Sequence, residues 1–261
     1  MIKTNFFQQR FPLLLTLVSG AILLLSTQLV WSKPLPVEIK QWNPTAALPE
    51  GVTSRTAVTH DDFLYLVGGK NRSENPISTI YGARISPTGG VENWTVVGQL
   101  PMPLYLHTAV VADDALFVIG GWDGKSTRAD VWRAAFTSDG RVGTWAPMPA
   151  YPVALDLHDA TVLNGRIYVV GGWDGTQALG GIYAAALEGN GLGAWQRVGD
   201  LPQALYRLAV TADTQRLYVT GGYGANGSAS AAVYVTGVNT DGSLSGWQSY
   251  VLAQRSIITK L

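Results

Sequence analysis

The chain has 261 residues, with 18 basic and 18 acidic side chains, a formal charge of zero and no cysteine. Balanced charge argues against a phosphate-tracking nucleic-acid surface or a polybasic membrane patch. The missing thiols exclude disulfides, thiolate metal sites and cysteine nucleophiles. Nine Trp and 30 Gly against 14% charged residues point to an aromatic core joined by tight turns.

Residues 1–32 differ from the rest. Lys3 and Arg10 precede an uncharged stretch from Phe11 to Ser32, and its most apolar part, Leu13–Leu25, has the length of a signal-peptide core. Val30-Trp31-Ser32 supplies a cleavage site, so residues 1–32 are expected to be a signal peptide. The rival is an uncleaved membrane anchor, because 22 uncharged residues just reach across a bilayer. Thr16, Ser19, Ser26, Thr27 and Gln28 dilute that span and favour cleavage. Either way, residues 33–261 are expected outside the cytoplasm: periplasmic, extracellular, or tethered to a membrane through the anchor alone.

After Lys33 the chain repeats with a period near fifty. Glycine pairs begin at Gly68, Gly120, Gly171 and Gly221. Trp42, Trp94, Trp145, Trp195 and Trp247 form a second series, and Tyr81, Trp132, Tyr183 and Tyr234 a third, all at intervals of 50 to 52 residues. The units run approximately 38–88, 89–138, 139–188 and 189–240, with a partial unit at 241–261. Each holds four short strand-like runs; in the third unit these are 158–163, 166–172, 181–187 and 193–198. The second run is apolar almost throughout, so its sheet is expected to be covered on both faces. Asp113-Asp114, Asn164-Gly165 and Asp139-Gly140 stand where tight reversals are needed. No stretch carries a helical period.

Four-stranded units of about fifty residues with two buried faces match the blades of a β-propeller. The residues resemble the kelch repeat in particular. That repeat has an apolar strand ending in Gly-Gly, then an aromatic, a Trp, a Met/Leu-Pro loop and an Arg or His. Gly171-Gly172, Tyr183, Trp195, Leu201-Pro202 and Arg207 supply the whole set in one pass. The resemblance implies an all-β fold of about four four-stranded kelch-type β-propeller blades plus partial terminal strands. Propellers of this family usually carry six or seven blades, so an incomplete ring is expected. Gln254–Thr259 resembles Ser54–Thr59, which opens the first unit, and the strand around Trp42 resembles the outer strand of a closing blade.

The conspicuous residues have structural and functional readings. GGWDG occurs at Gly120–Gly124 and Gly171–Gly175. In a kelch blade the glycine pair ends the second strand, where a side chain would obstruct packing, and Asp-Gly is turn chemistry. Trp122 and Trp173 either cap a neighbouring blade or stand exposed as stacking platforms. The Trp series from Trp94 to Trp247 is expected to fill the same gap in each repeat. Arg55, His107, His158 and Arg207 are read as equivalent positions entering the innermost strands, on the face shared with the Gly–Gly loops. In this family that face commonly holds the ligand. The candidate binding set is therefore Arg55, Tyr105, His107, Trp122, Tyr151, His158, Trp173, Tyr206 and Arg207. The alternative is that the Arg and His side chains tie adjacent loops together.

Asp156-Leu157-His158-Asp159 is the nearest thing to an acid–base or metal constellation. Strand alternation would put Asp156 and His158 on one face and Asp159 on the other. His60, at the far end of its strand, is not expected to join His107 and His158 in a metal site. No catalytic residue, metal or cofactor is assigned. The favoured function is an exported, non-catalytic module presenting one propeller face to a protein or glycan, with no nucleic-acid partner. The alternatives are a carbohydrate-active kelch enzyme similar to sialic acid epimerases, or a truncated copy without function. Galactose oxidase chemistry is excluded, since its copper site depends on a cysteine-crosslinked tyrosine.

Overall fold

The structure, a computed structural model, describes residues 44–251. The expected signal segment, Trp42 and the 254–259 segment lie outside the described residues. Within them there are strands and turns but no helix. Four sheets follow one another along the chain. Blade 1 comprises β1 (Thr56–His60), β2 (Phe63–Val67), β3 (Thr79–Arg84) and β4 (Thr95–Gln99). Blade 2 comprises β5 (Thr108–Ala112), β6 (Ala115–Ile119), β7 (Val131–Phe136) and β8 (Val142–Met148). In blade 3, β9 (Asp159–Leu163), β10 (Arg166–Val170) and β11 (Gly181–Glu188) are followed by a short β12 (Gly191–Leu192) and by β13 (Gln196–Asp200), both paired with β11. Blade 4 comprises β14 (Leu205–Ala212), β15 (Arg216–Gly224), β16 (Ala232–Val238) and β17 (Leu244–Val251). Each sheet takes its outer strand from the start of the next repeat unit as counted from Glu38, because the Trp-bearing strand pairs backward.

Every pairing is antiparallel, so each blade is a meander closed by short turns. The expected turn pairs form them. Asn164 and Gly165 have φ of 50° and 67°, and Asp113 and Asp114 have 45° and 54°, the left-handed pair that a two-residue hairpin needs to match strand twist.

Three apolar interfaces hold the four blades together. Tyr65, Val67 and Ile80 of blade 1 pack on Leu104, Leu116 and Val118 of blade 2. Phe117, Ile119 and Val131 of blade 2 pack on Ile167, Val169 and Ala185 of blade 3. Tyr168, Val170 and Ile182 of blade 3 pack on Leu205, Leu217 and Val219 of blade 4. The apolar second strands of the two middle blades, β6 and β10, thus serve two interfaces at once, which is why they are buried almost throughout, whereas β2 and β15 each serve one and alternate. Each fully buried large side chain contributes about 1.5–3 kcal/mol.

Polar contacts repeat with the same period. Trp145 Nε1 donates to the carbonyl of Gln99 at 2.6 Å, Trp195 Nε1 to Pro149 at 2.9 Å and Trp247 Nε1 to Asp200 at 2.7 Å. Each indole therefore ties its outer strand to the outer strand of the preceding blade. Trp94 Nε1 makes the same bond to Ala46, at 3.1 Å. On the inner side, Thr56 Oγ1 donates to the carbonyl of His107 and Thr108 Oγ1 to that of His158, at 2.9 and 3.1 Å. Asp159 Oδ2 does the corresponding job by accepting from the Val210 N–H at 2.8 Å.

Candidate functional site

The glycine pairs are the joints between blades. Gly69, Gly121 and Gly172 donate their N–H groups to Leu104, Leu155 and Leu205 of the following blade, at 2.8 to 2.9 Å. A Cβ at Gly68, Gly120 or Gly171 would stand 2.5 to 2.7 Å from those same leucine carbonyls. All six glycines have positive φ, between 54° and 108°. Close backbone approach and left-handed geometry together admit only glycine. The aspartates of GGWDG build turns: Asp123 Oδ1 accepts from Lys125 and Ser126 N–H, and Asp174 Oδ1 from Thr176 and Gln177 N–H, all at 2.8 Å. The hydrogen bonds from Thr176 hold Asp174 down at about 2.

The loops entering the innermost strands emerge beside these joints. Tyr105 bridges to Trp122, Asp156 to Trp173 and Thr53 to Lys70, and Tyr206 pairs with Tyr223 in register. The two loop sets thus share one face, and their side chains form a row of rings across it. Lys70 Nζ lies 5.6 Å from the centroid of Tyr105. Trp173 meets Tyr206 edge-on at 5.2 Å, and Tyr206 stacks on Tyr223 at 5.7 Å. Trp122, Trp173 and Tyr206 are half-buried, and Tyr223 is exposed. Tyr223 was not among the candidates, although it follows Gly221-Gly222 as Trp122 and Trp173 follow their own glycine pairs.

Several candidates stand elsewhere. Tyr151, 4% exposed, is inside the interface of blades 2 and 3, edge-on to Tyr183 and Trp195 at 5.2 and 5.1 Å. Burial raises its phenol far above the usual range. His107 and His158 are 5% exposed and offer the face no side chain. Each ring is wedged into the preceding blade's joint: His107 Cε1 would be 2.9 Å from a Cβ at Gly68, and His158 Cε1 3.0 Å from one at Gly120. None of the four ring nitrogens has a well-formed hydrogen bond. Desolvation lowers His107 to about 4 and His158 to about 3, with the His107 charge further opposing that of His158.

Arg207 is not the counterpart of these histidines; Leu208 is, its Cδ2 filling the notch at Gly171. Arg207 instead matches Ser54, Leu106 and Leu157, and all four have φ of 53° to 57°. Their backbones form an inner chain of hydrogen bonds, from Leu106 N to Ser54 O, Leu157 N to Leu106 O and Arg207 N to Leu157 O. The Arg207 side chain is exposed on the face. Arg55 is half-buried, its Nη2 donating to the Val52 carbonyl at 3.0 Å. Val52 stands three residues before Arg55 in the same loop, so this contact braces that loop and does not tie it to a neighbouring one.

The left-handed residue at Leu157 also breaks the expected strand alternation. Asp156 therefore belongs to the loop and Asp159 opens β9. Asp156 is 4% exposed with Oδ1 unpartnered, and desolvation raises it to about 6 against the opposing pull of Arg207. The His158 ring nitrogens and Asp156 Oδ1 are each without a partner, so the two do not form a hydrogen-bonded acid–base pair. The inner strands enclose an open depression of about 610 Å³ lined by Ala57, Thr59, Ala109, Ala160, Thr161 and Thr211 among others, none of the lining titratable.

Residues 25–222 match the family described as the KLHDC2/KLHL20/DRC7 Kelch-repeats domain. The chain is 26% identical over 198 residues to a leucine-zipper-like transcriptional regulator 1 homolog of Drosophila melanogaster, covering 70% of this chain and 20% of that protein. It is 25% identical to Kelch-like protein 38 of Rattus norvegicus, over 63% of this chain and 27% of the other, and 27% identical to human Kelch-like protein 23, over 64% and 28%. It thus spans less than a third of the length of these relatives. The solved structure of YjhT superposes with a TM-score of 0.63 at 18% identity, covering 79% of this chain and 68% of that one. Glycine joints, tryptophan ties and the family match agree, and the chain belongs to the kelch-repeat β-propeller family.

Proposed function

We propose that this chain is an exported, non-catalytic kelch module that holds a protein partner on its Gly–Gly face. The observation that carries this reading is the ring row Trp173–Tyr206–Tyr223, partly open to solvent beside the exposed Arg207. Rigid aromatic side chains with a neighbouring guanidinium are the groups that supply most binding energy at protein interfaces. Tyr105, Trp122 and Lys70 extend the same surface. The burial of His107, His158 and Asp156 in packing positions supports a binding role over a catalytic one. The composition of residues 1–32 supports export.

A protein array and a glycan array, probed with the wild type and with a Trp173→Ala, Tyr206→Ala variant, test the reading. Protein binding that the folded variant loses supports it. Capture of glycans alone moves the face to carbohydrate recognition, and unchanged binding removes it from the site. N-terminal sequencing of the cell-exported product, with Lys33 as the first residue, tests export by cleavage.

A further inference from the structure

The residues that lead into the innermost strands stand in register around the Gly–Gly face. Thr53, Tyr105, Asp156 and Tyr206 each pair with the residue after their own blade's glycine pair: Lys70, Trp122, Trp173 and Tyr223. That later residue also leans on the following blade, Lys70 over the Tyr105 ring and Trp173 against Tyr206. In the step between them, Trp122 and Asp156 hold the equivalent places. One carboxyl thus interrupts a row of rings. Trp173 is paired with its backbone in the same blade, and Trp122 stands in the preceding one.

The scaffold does not require this carboxyl, since tyrosine occupies its place in blades 2 and 4 and threonine in blade 1. Asp156 is 4% exposed. Among the described residues its Oδ1 is the one carboxylate oxygen buried without a hydrogen-bond partner. Such burial costs free energy. Other carboxylates of this face are engaged: Glu50 by the Tyr81 hydroxyl, Glu74 by Lys70, and Asp123 and Asp130 by Arg128. Asp174 is held by its own turn. Arg207 acts on Asp156 through charge alone, and its side chain is exposed. An unpaired carboxylate flanked by indoles accepts a cation through charge, a charge-assisted hydrogen bond and the negative ring faces.

We propose that Asp156, between Trp122 and Trp173, receives a lysine or arginine side chain of the protein partner. The inference rests on the reading of the Gly–Gly face as a partner-binding surface and names the group that this surface recognises. An acidic side chain would be repelled at this place, and a neutral sugar would leave the carboxylate without a counter-charge.

The test probes the full chain with an array of immobilised random-sequence peptides at pH 8, above the raised carboxyl value of about 6. Peptides captured by the wild type are expected to share a lysine or arginine. Replacing that residue with glutamine should weaken capture at least about ten-fold, as loss of a hydrogen bond between charged groups does. Exchanging lysine for arginine distinguishes the two cations. For the Asp156→Asn chain the same glutamine replacement should change capture by less than about two-fold. Asp156→Tyr, which installs the residue of the equivalent positions, should lose the discrimination likewise and decides the matter if Asp156→Asn does not fold. Captured peptides that tolerate glutamine, an Asp156→Asn chain that keeps the full discrimination, or capture of no peptide at all overturns the inference. Charge-independent capture that the Trp173→Ala, Tyr206→Ala variant loses overturns the cation alone and leaves the face reading standing. Capture that survives in that double variant removes both.

Discussion

The imidazole of His158 lies against the α-carbon of Gly120 in the preceding blade, so close that a methyl group there would come within 3.0 Å of Cε1 and 2.6 Å of the Leu155 carbonyl. This contact explains both the glycine and the buried histidine. The notch takes a flat or narrow apolar group, and His107, His158 and Leu208 all fill it.

Gly120→Ala should therefore cost about 2–4 kcal/mol, combining left-handed backbone strain with overpacking against a carbonyl that has little room to retreat. Gly221→Ala has similar φ but no described neighbour, and should cost only about 1–2 kcal/mol from the backbone. Urea unfolding of the two variants checks the difference.

His158→Leu should relieve acid sensitivity. A histidine lowered to about 3 in the folded state takes up its proton more readily when unfolded. Its contribution is fully present above the unfolded value near 6.5 and is lost as pH falls toward about 3, at about 1.4 kcal/mol per unit. Leu208 shows that leucine fits the same notch. The variant should match the wild type at pH 7.5 and exceed it at pH 4.5 in melting temperature. His107, lowered to about 4, adds the same trend.

Asp156→Asn should act in the opposite window. The carboxyl, raised to about 6, favours the folded state while protonated and loses that contribution as pH rises through about 6. The uncharged amide should raise stability at pH 8 more than at pH 5. A pH series of thermal melts reads the crossover.

Trp195→Ala should destabilise by about 3 kcal/mol, since it removes the tie to Pro149 and uncovers Tyr151. Trp195→Phe keeps the ring but not the N–H, and should cost about 1 kcal/mol. Trp173→Ala should leave chemical denaturation nearly unchanged while weakening partner binding by about 2 kcal/mol. The contrast between two tryptophans of one blade separates scaffold from surface.

Periodicity was legible because every blade solves the same packing problem with the same residues. Gly171, Tyr183 and Trp195 could be placed in a sheet before any coordinates, and the turns at Asp113-Asp114 and Asn164-Gly165 followed from their backbone preferences. Register at the blade entrances was legible as well: Leu208 precedes Gly221 by the same 13 residues by which His107 and His158 precede Gly120 and Gly171, so an equivalence at Arg207 falls one position early. The hydrogen-bonded chain Ser54–Leu106–Leu157–Arg207 agrees with that count. What spacing does not distinguish is a ring at the surface from one in the core. Tyr151 and Tyr206 both follow proline loops, yet one is enclosed by Tyr183 and Trp195 and the other stands beside Trp173. Local chemistry selected the strands and turns of this protein; exposure is a property of the neighbouring blade, and it was decided only when the blades packed.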